Sequence, residues 1–188
     1  MTVAITICGA VEHLKTAERI LVIGCSGSGK STLARKLAQR LDLSYVSMDR
    51  EVFWLPGWRP RQRPEAFARL QAIVAEERWV VDGTSPGTLE LRLPRTHLVL
   101  WLRPPRWISV YGVLSRWLKL RGRTRPEMAD NCPERINREF LTYVWNFEKT
   151  ESPEIEKILS AYGPEIPLLV LKSRREISEL LAMLDKRH

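Results

Sequence analysis

The chain has 188 residues, a net charge of +8 and 44% hydrophobic residues, which is the make-up of one globular domain and excludes fibrous or disordered classes. Apolar runs such as residues 96–102 fall far short of the roughly 20 residues a membrane-spanning helix needs. Cys8, Cys25 and Cys132 are odd in number and lack C-x-x-C spacing, which argues against a disulfide framework and a zinc site.

In chain order, residues 1–18 read as an N-terminal extension, either an extra strand and turn before the core or a poorly ordered segment. The first eleven residues carry no charge. A signal peptide would begin with a basic stretch, so a cytoplasmic chain is expected. The domain proper is expected over 19–188.

Arg19-Ile20-Leu21-Val22-Ile23 reads as a buried strand. Gly24-Cys25-Ser26-Gly27-Ser28-Gly29-Lys30-Ser31-Thr32 follows and fits the phosphate-binding pattern G-x-x-x-x-G-K-[ST] in full. Leu33, Leu37 and Leu41, with Ala34 and Ala38 beside them, then recur at helical spacing. Strand, glycine loop and helix together predict a nucleoside triphosphate site. Glycines let the backbone wrap one anion, and the helix N-terminus adds partial positive charge. Lys30 supplies a cation for the outer phosphates and the Ser31 hydroxyl a ligand for Mg²⁺. Cys25 lies where loop N–H groups can depress a thiol pKa, but it reads more simply as the filler of a variable position.

Residues 43–48 form a second predicted strand, ending at Asp49, and the Pro- and Arg-rich residues 56–64 a loop. Phe67, Leu70 and Val74 mark a helix. Trp79-Val80-Val81 is a third strand, ending at Asp82-Gly83, and residues 96–102 a fourth. Trp107, Val110, Tyr111, Leu114 and Leu118 share one helical face. Ile136, Phe140, Tyr143, Val144 and Phe147 share another, whose helix is expected to start at Cys132-Pro133-Glu134. Pro153 opens a further helix, residues 167–171 are a fifth strand, and Ile177, Leu180, Leu181 and Leu184 define the closing helix. This alternation predicts an α/β fold of the P-loop nucleoside triphosphate hydrolase type, with a five-stranded parallel sheet covered on both faces. Ligands gather at the carboxyl ends of such strands, where Gly24, Asp49 and Asp82 fall.

Of the seven tryptophans, Trp79, Trp101, Trp107, Trp117 and Trp145 read as core or packing residues. Trp54 and Trp58 flank the Pro56-Gly57 turn. They either stack on an acceptor or cover the loop's own apolar underside.

Phosphoryl transfer needs a phosphate cradle, carboxylate support for Mg²⁺, a group that orients the acceptor, and cations over the developing charge. Residues 24–32 supply the cradle. Asp82, at the end of an apolar strand, suits the metal alongside Ser31, and Asp49 suits the acceptor hydroxyl. Their structural alternatives are an Asp-Gly turn and a helix cap. Arg116, Lys119, Arg121, Arg123 and Arg125 include no acid between them; Arg116, Arg121, Arg123 and Arg125, joined to Arg135 and Arg138, are the candidate cations over the phosphates, with Arg121 and Arg123 taken as the lid pair. The same run also reads as a nucleic-acid patch or a solvated basic face.

At these residues the chain resembles the adenylate-kinase-like P-loop kinases. More narrowly, it is similar to the bacterial proteins known as DNA topology modulation proteins. That likeness rests on Met48-Asp49, Phe53-Trp54, Pro56-Gly57-Trp58, Leu91-Arg92-Leu93-Pro94-Arg95, Arg121-Gly122-Arg123-Thr124-Arg125-Pro126 and Cys132-Pro133-Glu134-Arg135. The resemblance implies a kinase domain with a small lid at about 119–135, Mg-ATP as donor and a small acceptor, a nucleotide or nucleoside. In the broader family the Asp-Gly precedes Phe-Pro-Arg, whose arginine helps hold a nucleoside monophosphate. Here Thr84-Ser85-Pro86-Gly87 follows, which counts against a monophosphate acceptor. No topoisomerase tyrosine site or DNA-reading element is present. The alternative class is a regulatory ATP-binding protein that contacts nucleic acid through the basic run. No membrane association is expected.

Overall fold

The computed structural model describes residues 3–186. Its order is β1 (Val3–Ala4), α1 (Ile7–Leu14), β2 (Arg19–Gly24), α2 (Lys30–Leu41), β3 (Ser44–Ser47), β4 (Trp54–Leu55), β5 (Arg59–Pro60), α3 (Arg63–Ala75), β6 (Trp79–Asp82), α4 (Leu89–Arg92) and β7 (Leu98–Leu102). Then come α5 (Arg106–Leu120), α6 (Arg138–Thr150), α7 (Ser152–Tyr162), β8 (Pro167–Leu171) and α8 (Arg174–Asp185). The main sheet runs β1-β8-β7-β2-β6-β3 and every pairing in it is parallel. It has six strands where five were expected. The sixth, β1, lies on the edge against β8, and its two residues are too few to show a periodic pattern.

The strands are apolar on both faces because helices cover both. On β2, Ile20 and Val22 face a core closed by α1, α2 and α8, while Leu21 and Ile23 face one closed by α3 to α7. Leu33 and Leu37 of α2, and Leu180 and Leu184 of α8, are buried in the first of these. Residues that large stabilise by about 1.5–3 kcal/mol each when fully buried.

One helix is turned over relative to the sequence expectation. On α5 the buried residues are Ser109 and Val113, while Trp107, Tyr111, Leu114 and Leu118 lie exposed. The physical cause is the phosphate loop. A Cβ on Gly112 would collide with the Gly27 backbone, and one on Gly27 would collide with Ser109. The helix therefore presents its small residues inward so that the loop can lie against it. A mid-helix glycine costs about 1 kcal/mol relative to alanine, and here it makes room for a backbone. Trp79 and Trp101 are core as expected, whereas Trp107 and Trp145 are exposed.

The segment between α5 and α6 also departs from expectation. Cys132-Pro133-Glu134 does not start a helix; α6 begins at Arg138, where Asn137 Oδ1 accepts from the Phe140 N–H at 2.8 Å. Residues 121–137 instead run back over the β4–β5 hairpin. The Gly57 N–H donates to the Asp130 carbonyl, the Trp58 N–H to Cys132 Sγ, and Trp58 Nε1 to the Pro133 carbonyl. Met128, Ala129 and Cys132 pack beneath Trp54 and Trp58. Hairpin and lid segment are thus one packed unit.

Candidate active site

Sheet register assembles the site. Val22, Asp82 and Ser47 stand side by side on β2, β6 and β3, so the loop after β2, the end of β6 and Asp49 after β3 emerge together at the carboxyl edge. Gly24, Gly27 and Gly29 take φ of 145°, 81° and 97°, the left-handed conformations that favour glycine. Gly29 caps α2 and Lys30 is its first residue. The Gly24 N–H donates to Thr84 Oγ1 at 2.9 Å, and that hydroxyl donates back to the Gly24 carbonyl at 2.6 Å. Thr84 thereby fixes the first residue of the loop from the neighbouring strand end.

Thr84 is itself held by Arg92, which is fully buried. The Arg92 guanidinium donates to the carbonyls of Gly83, Thr84 and Ser85 and to Thr88 Oγ1. Burial pushes its pKa down to about 9, opposed by Asp82, so it remains a cation at neutral pH.

Asp82 is buried, and burial raises its carboxyl pKa against the lowering effects of Lys30 and Ser31. Tyr45 Oη donates to Asp82 Oδ2 at 3.1 Å, while Oδ1 is buried without a hydrogen-bond partner among the described residues. An orphaned carboxylate oxygen facing a lysine and a hydroxyl suits a hard divalent cation. Mg²⁺ takes one or two protein oxygens and completes its shell with phosphate and water. Asp82 and Ser31 are the residues that fit it.

Cys25 is buried under α6 and donates its thiol to the Val144 carbonyl at 3.7 Å. Burial pushes its pKa up to about 11, the opposite of an activated thiol. It is the filler of a loop position.

Two cavities meet at this edge. The first, of about 390 Å³, is lined by Gly27, Gly29, Lys30, Ser31 and Thr32 and by Arg35, Lys119 and Arg174. The second, of about 320 Å³, is lined by Ser26, Asp49, Trp54, Trp58, Met128 and Phe140. Arg116 and Arg125 line both. Arg125 Nη2 lies 2.8 Å from Asp49, and Glu134, with only 6% of its side chain exposed, forms ion pairs with Arg116 Nε at 3.1 Å and Arg125 Nε at 3.2 Å. Arg121 and Arg123 are exposed and line neither cavity; Arg121 lies over the Trp117 ring. Of the four candidate arginines, the cations at the junction are therefore Arg116 and Arg125, a choice the spacing of the basic run does not make. Arg35, whose Nη2 pairs with Glu127 at 2.9 Å, and Arg174 at the start of α8 also escape sequence reasoning. Neither sits in a motif; Arg35's placement one turn beyond Ser31 is the available signal. Trp54 and Trp58 cover the loop's apolar underside, as one of their two readings expected, and also line the second cavity.

No helix among the described residues is long and apolar enough to cross a membrane.

Residues 20–85 match the AAA domain family. A shikimate kinase from Blochmanniella floridana is 30% identical over 94 residues, 43% of this chain. That alignment spans about half, 48%, of the relative's length. A shikimate kinase from Acinetobacter baumannii in complex with shikimate superposes with a TM-score of 0.60 at 16% identity, covering 94% of this chain and 96% of the other. A shikimate kinase from Bacteroides thetaiotaomicron gives 0.54 at 14% identity, covering 92% and 98%. With its parallel sheet, glycine loop and flanking helices, the chain has the P-loop kinase fold.

Proposed function

We propose that the protein is a Mg-ATP-dependent kinase that transfers a phosphoryl group to a small acceptor. The observation that carries this reading is the shared wall: a phosphate-loop cavity and an aromatic cavity meet at Arg116 and Arg125, with Asp49 on the far side. ATP lies with its phosphates along residues 24–32, and Lys30 neutralises the outer ones. Ser31 and Asp82 would hold Mg²⁺, which would supply charge neutralisation for the phosphates. An acceptor hydroxyl beside Asp49 attacks the γ-phosphorus, its proton passes to the carboxylate, and the bond to the β-phosphate oxygen breaks to release ADP. Arg116 and Arg125 face the charge that spreads over the transferring group. The shikimate kinase relatives give this reading its reaction class.

The likeness to the DNA topology modulation proteins belongs to the same proposal, and so does a cytoplasmic location, where Mg-ATP is abundant. A nucleoside goes with the aromatic walls as acceptor. A nucleoside monophosphate fits less well, because the three arginines on the cavity are offset by Asp49 and Glu134 to a net of one positive charge. A regulator that contacts nucleic acid would rest on the exposed cations Lys119, Arg121 and Arg123 alone, since Arg116 and Arg125 point inward.

Calorimetry with Mg-ATP, followed by ADP release across a panel of nucleosides, nucleotides and sugars, tests the proposal. Saturable Mg-ATP binding and acceptor-stimulated ADP release are expected. Absence of Mg-ATP binding overturns it.

A further inference from the structure

We infer that the second cavity takes a flat-ring alcohol, aromatic or heteroaromatic, that brings its hydroxyl to Asp49 and carries no more than one negative charge. This rests on the kinase reading above and narrows its acceptor.

The walls come first. Trp54 and Trp58 meet edge to face, with ring centroids 5.1 Å apart and planes at 77°, and so form a corner rather than a flat patch. Phe140 and Met128 complete the apolar lining. The corner is held before any ligand arrives. Trp58 is fixed by hydrogen bonds from its indole to Pro133 and from its backbone to Cys132, and buried Met128, Ala129 and Cys132 support both rings. A rigid aromatic corner favours a flat ring over a flexible chain, because little side-chain entropy remains to be lost on binding.

Charge sets the second limit. Arg116, Arg125 and Arg135 share this cavity with Asp49 and Glu134, three cations against two carboxylates, which leaves a net of one positive charge. The Arg135 guanidinium lies 5.1 Å from the Trp58 ring centre, at the exposed edge. One net positive charge matches a neutral or singly charged acceptor, and a phosphate dianion would exceed it. Open-chain polyols and sugar acids present no flat apolar face to Trp54, Trp58, Met128 and Phe140, so they gain less from this corner than a ring does.

Position identifies the reacting end. Of the two carboxylates here, Glu134 is buried behind the arginines, whereas 42% of the Asp49 side chain is exposed. Ser26 of the phosphate loop lines the same cavity. A hydroxyl at Asp49 therefore lies on the loop's side, with the ring against the tryptophans. The volume of about 320 Å³ is near the lower end of small-molecule sites, suited to one ring system and a short substituent.

The test is an affinity ranking with the whole chain saturated with Mg²⁺ and a non-hydrolysable ATP analogue. Calorimetry would compare 3-hydroxymethylpyridine and adenosine with adenosine monophosphate, gluconate and shikimate, and ADP release with ATP would follow. We expect the two flat-ring alcohols to bind roughly tenfold or more tightly than the other three. Trp54→Ala should erase that preference and Trp54→Phe should keep it, with analogue affinity in both reporting an intact fold. Gluconate, shikimate or the monophosphate binding as tightly as the flat-ring alcohols, or none of the five binding while the analogue does, overturns the inference and leaves the kinase reading standing. Failure of the analogue itself to bind overturns the kinase reading instead.

Discussion

Arg125 reaches Asp49 at 2.8 Å across the wall between the two cavities. The residue proposed to bind the acceptor hydroxyl is thus tied to a cation that also lines the phosphate-loop cavity. Such a cation stabilises charge that appears only as the phosphoryl group moves. Arg125→Ala should therefore lower turnover by about 10²–10³-fold with ATP affinity changed little. Arg121→Ala and Arg123→Ala should leave turnover within about twofold of the parent, since exposed charges contribute little. Steady-state turnover on the three variants, with ATP calorimetry, decides this. A large loss in the Arg121 or Arg123 variant would bring back the lid role the sequence suggested, and lost nucleic-acid binding with a steep salt slope would favour a regulator.

Glu134 binds two arginines at once and is nearly buried. Glu134→Gln keeps the shape but removes the charge that compensates both. Breaking a buried pair from one side costs about 3–5 kcal/mol, and the partial exposure of Arg116 points to the lower end. The expected result is a lower denaturation midpoint at unchanged m-value, with turnover reduced because Arg116 and Arg125 lose their anchor. A midpoint equal to the parent's would mean the triad is solvated and contributes nothing.

Asp82 and Asp49 emerge from adjacent strands with different surroundings, one buried beside Lys30 and Ser31, the other half open beside Arg125. Asp82→Asn should weaken Mg-ATP binding and leave metal-free ATP binding nearly unchanged. Asp49→Asn should lower acceptor-dependent turnover by about 10²–10⁴-fold with Mg-ATP affinity intact. Ser31→Ala should follow Asp82→Asn, and Lys30→Ala should abolish most triphosphate binding with or without metal. Calorimetry with and without Mg²⁺ separates these cases, and the reverse pattern would exchange the two roles.

The sequence carries the phosphate loop and both aspartates because each is tied to a local pattern, a glycine motif or the end of an apolar strand. It does not carry Arg92. A fully buried arginine looks like any surface arginine until the carbonyls of residues 83–85 are seen around it. Nor does periodicity say which face of α5 turns inward. The apolar line at Trp107, Tyr111, Leu114 and Leu118 is the stronger pattern, yet close approach of Gly27 and Gly112 wins. The same limit holds in the basic run. A segment without regular structure has no period, and only the contacts with Glu134 and Asp49 separate Arg125 from Arg123.

Cys25 gives a prediction with a defined pH window. Its thiol is buried, and its pKa rises from 9.0 to about 11 chiefly through burial, although Lys30 opposes the shift. Thiolate, not thiol, reacts with alkylating agents. In the native protein at about pH 8, iodoacetamide should therefore label exposed Cys8 and spare Cys25 and Cys132, both buried, while all three react after denaturation. The raised pKa also bears on stability. Between 9.0 and about 11 the unfolded chain has released this proton while the folded chain retains it, so the contribution is complete below 9.0 and fades as pH climbs towards 11. Two pKa units correspond to no more than about 2–3 kcal/mol. Replacing Cys25 by alanine should flatten the fall of the urea midpoint across that window. Mass mapping that finds Cys25 alkylated as fast as Cys8 in the native chain would show instead a thiol activated by the loop.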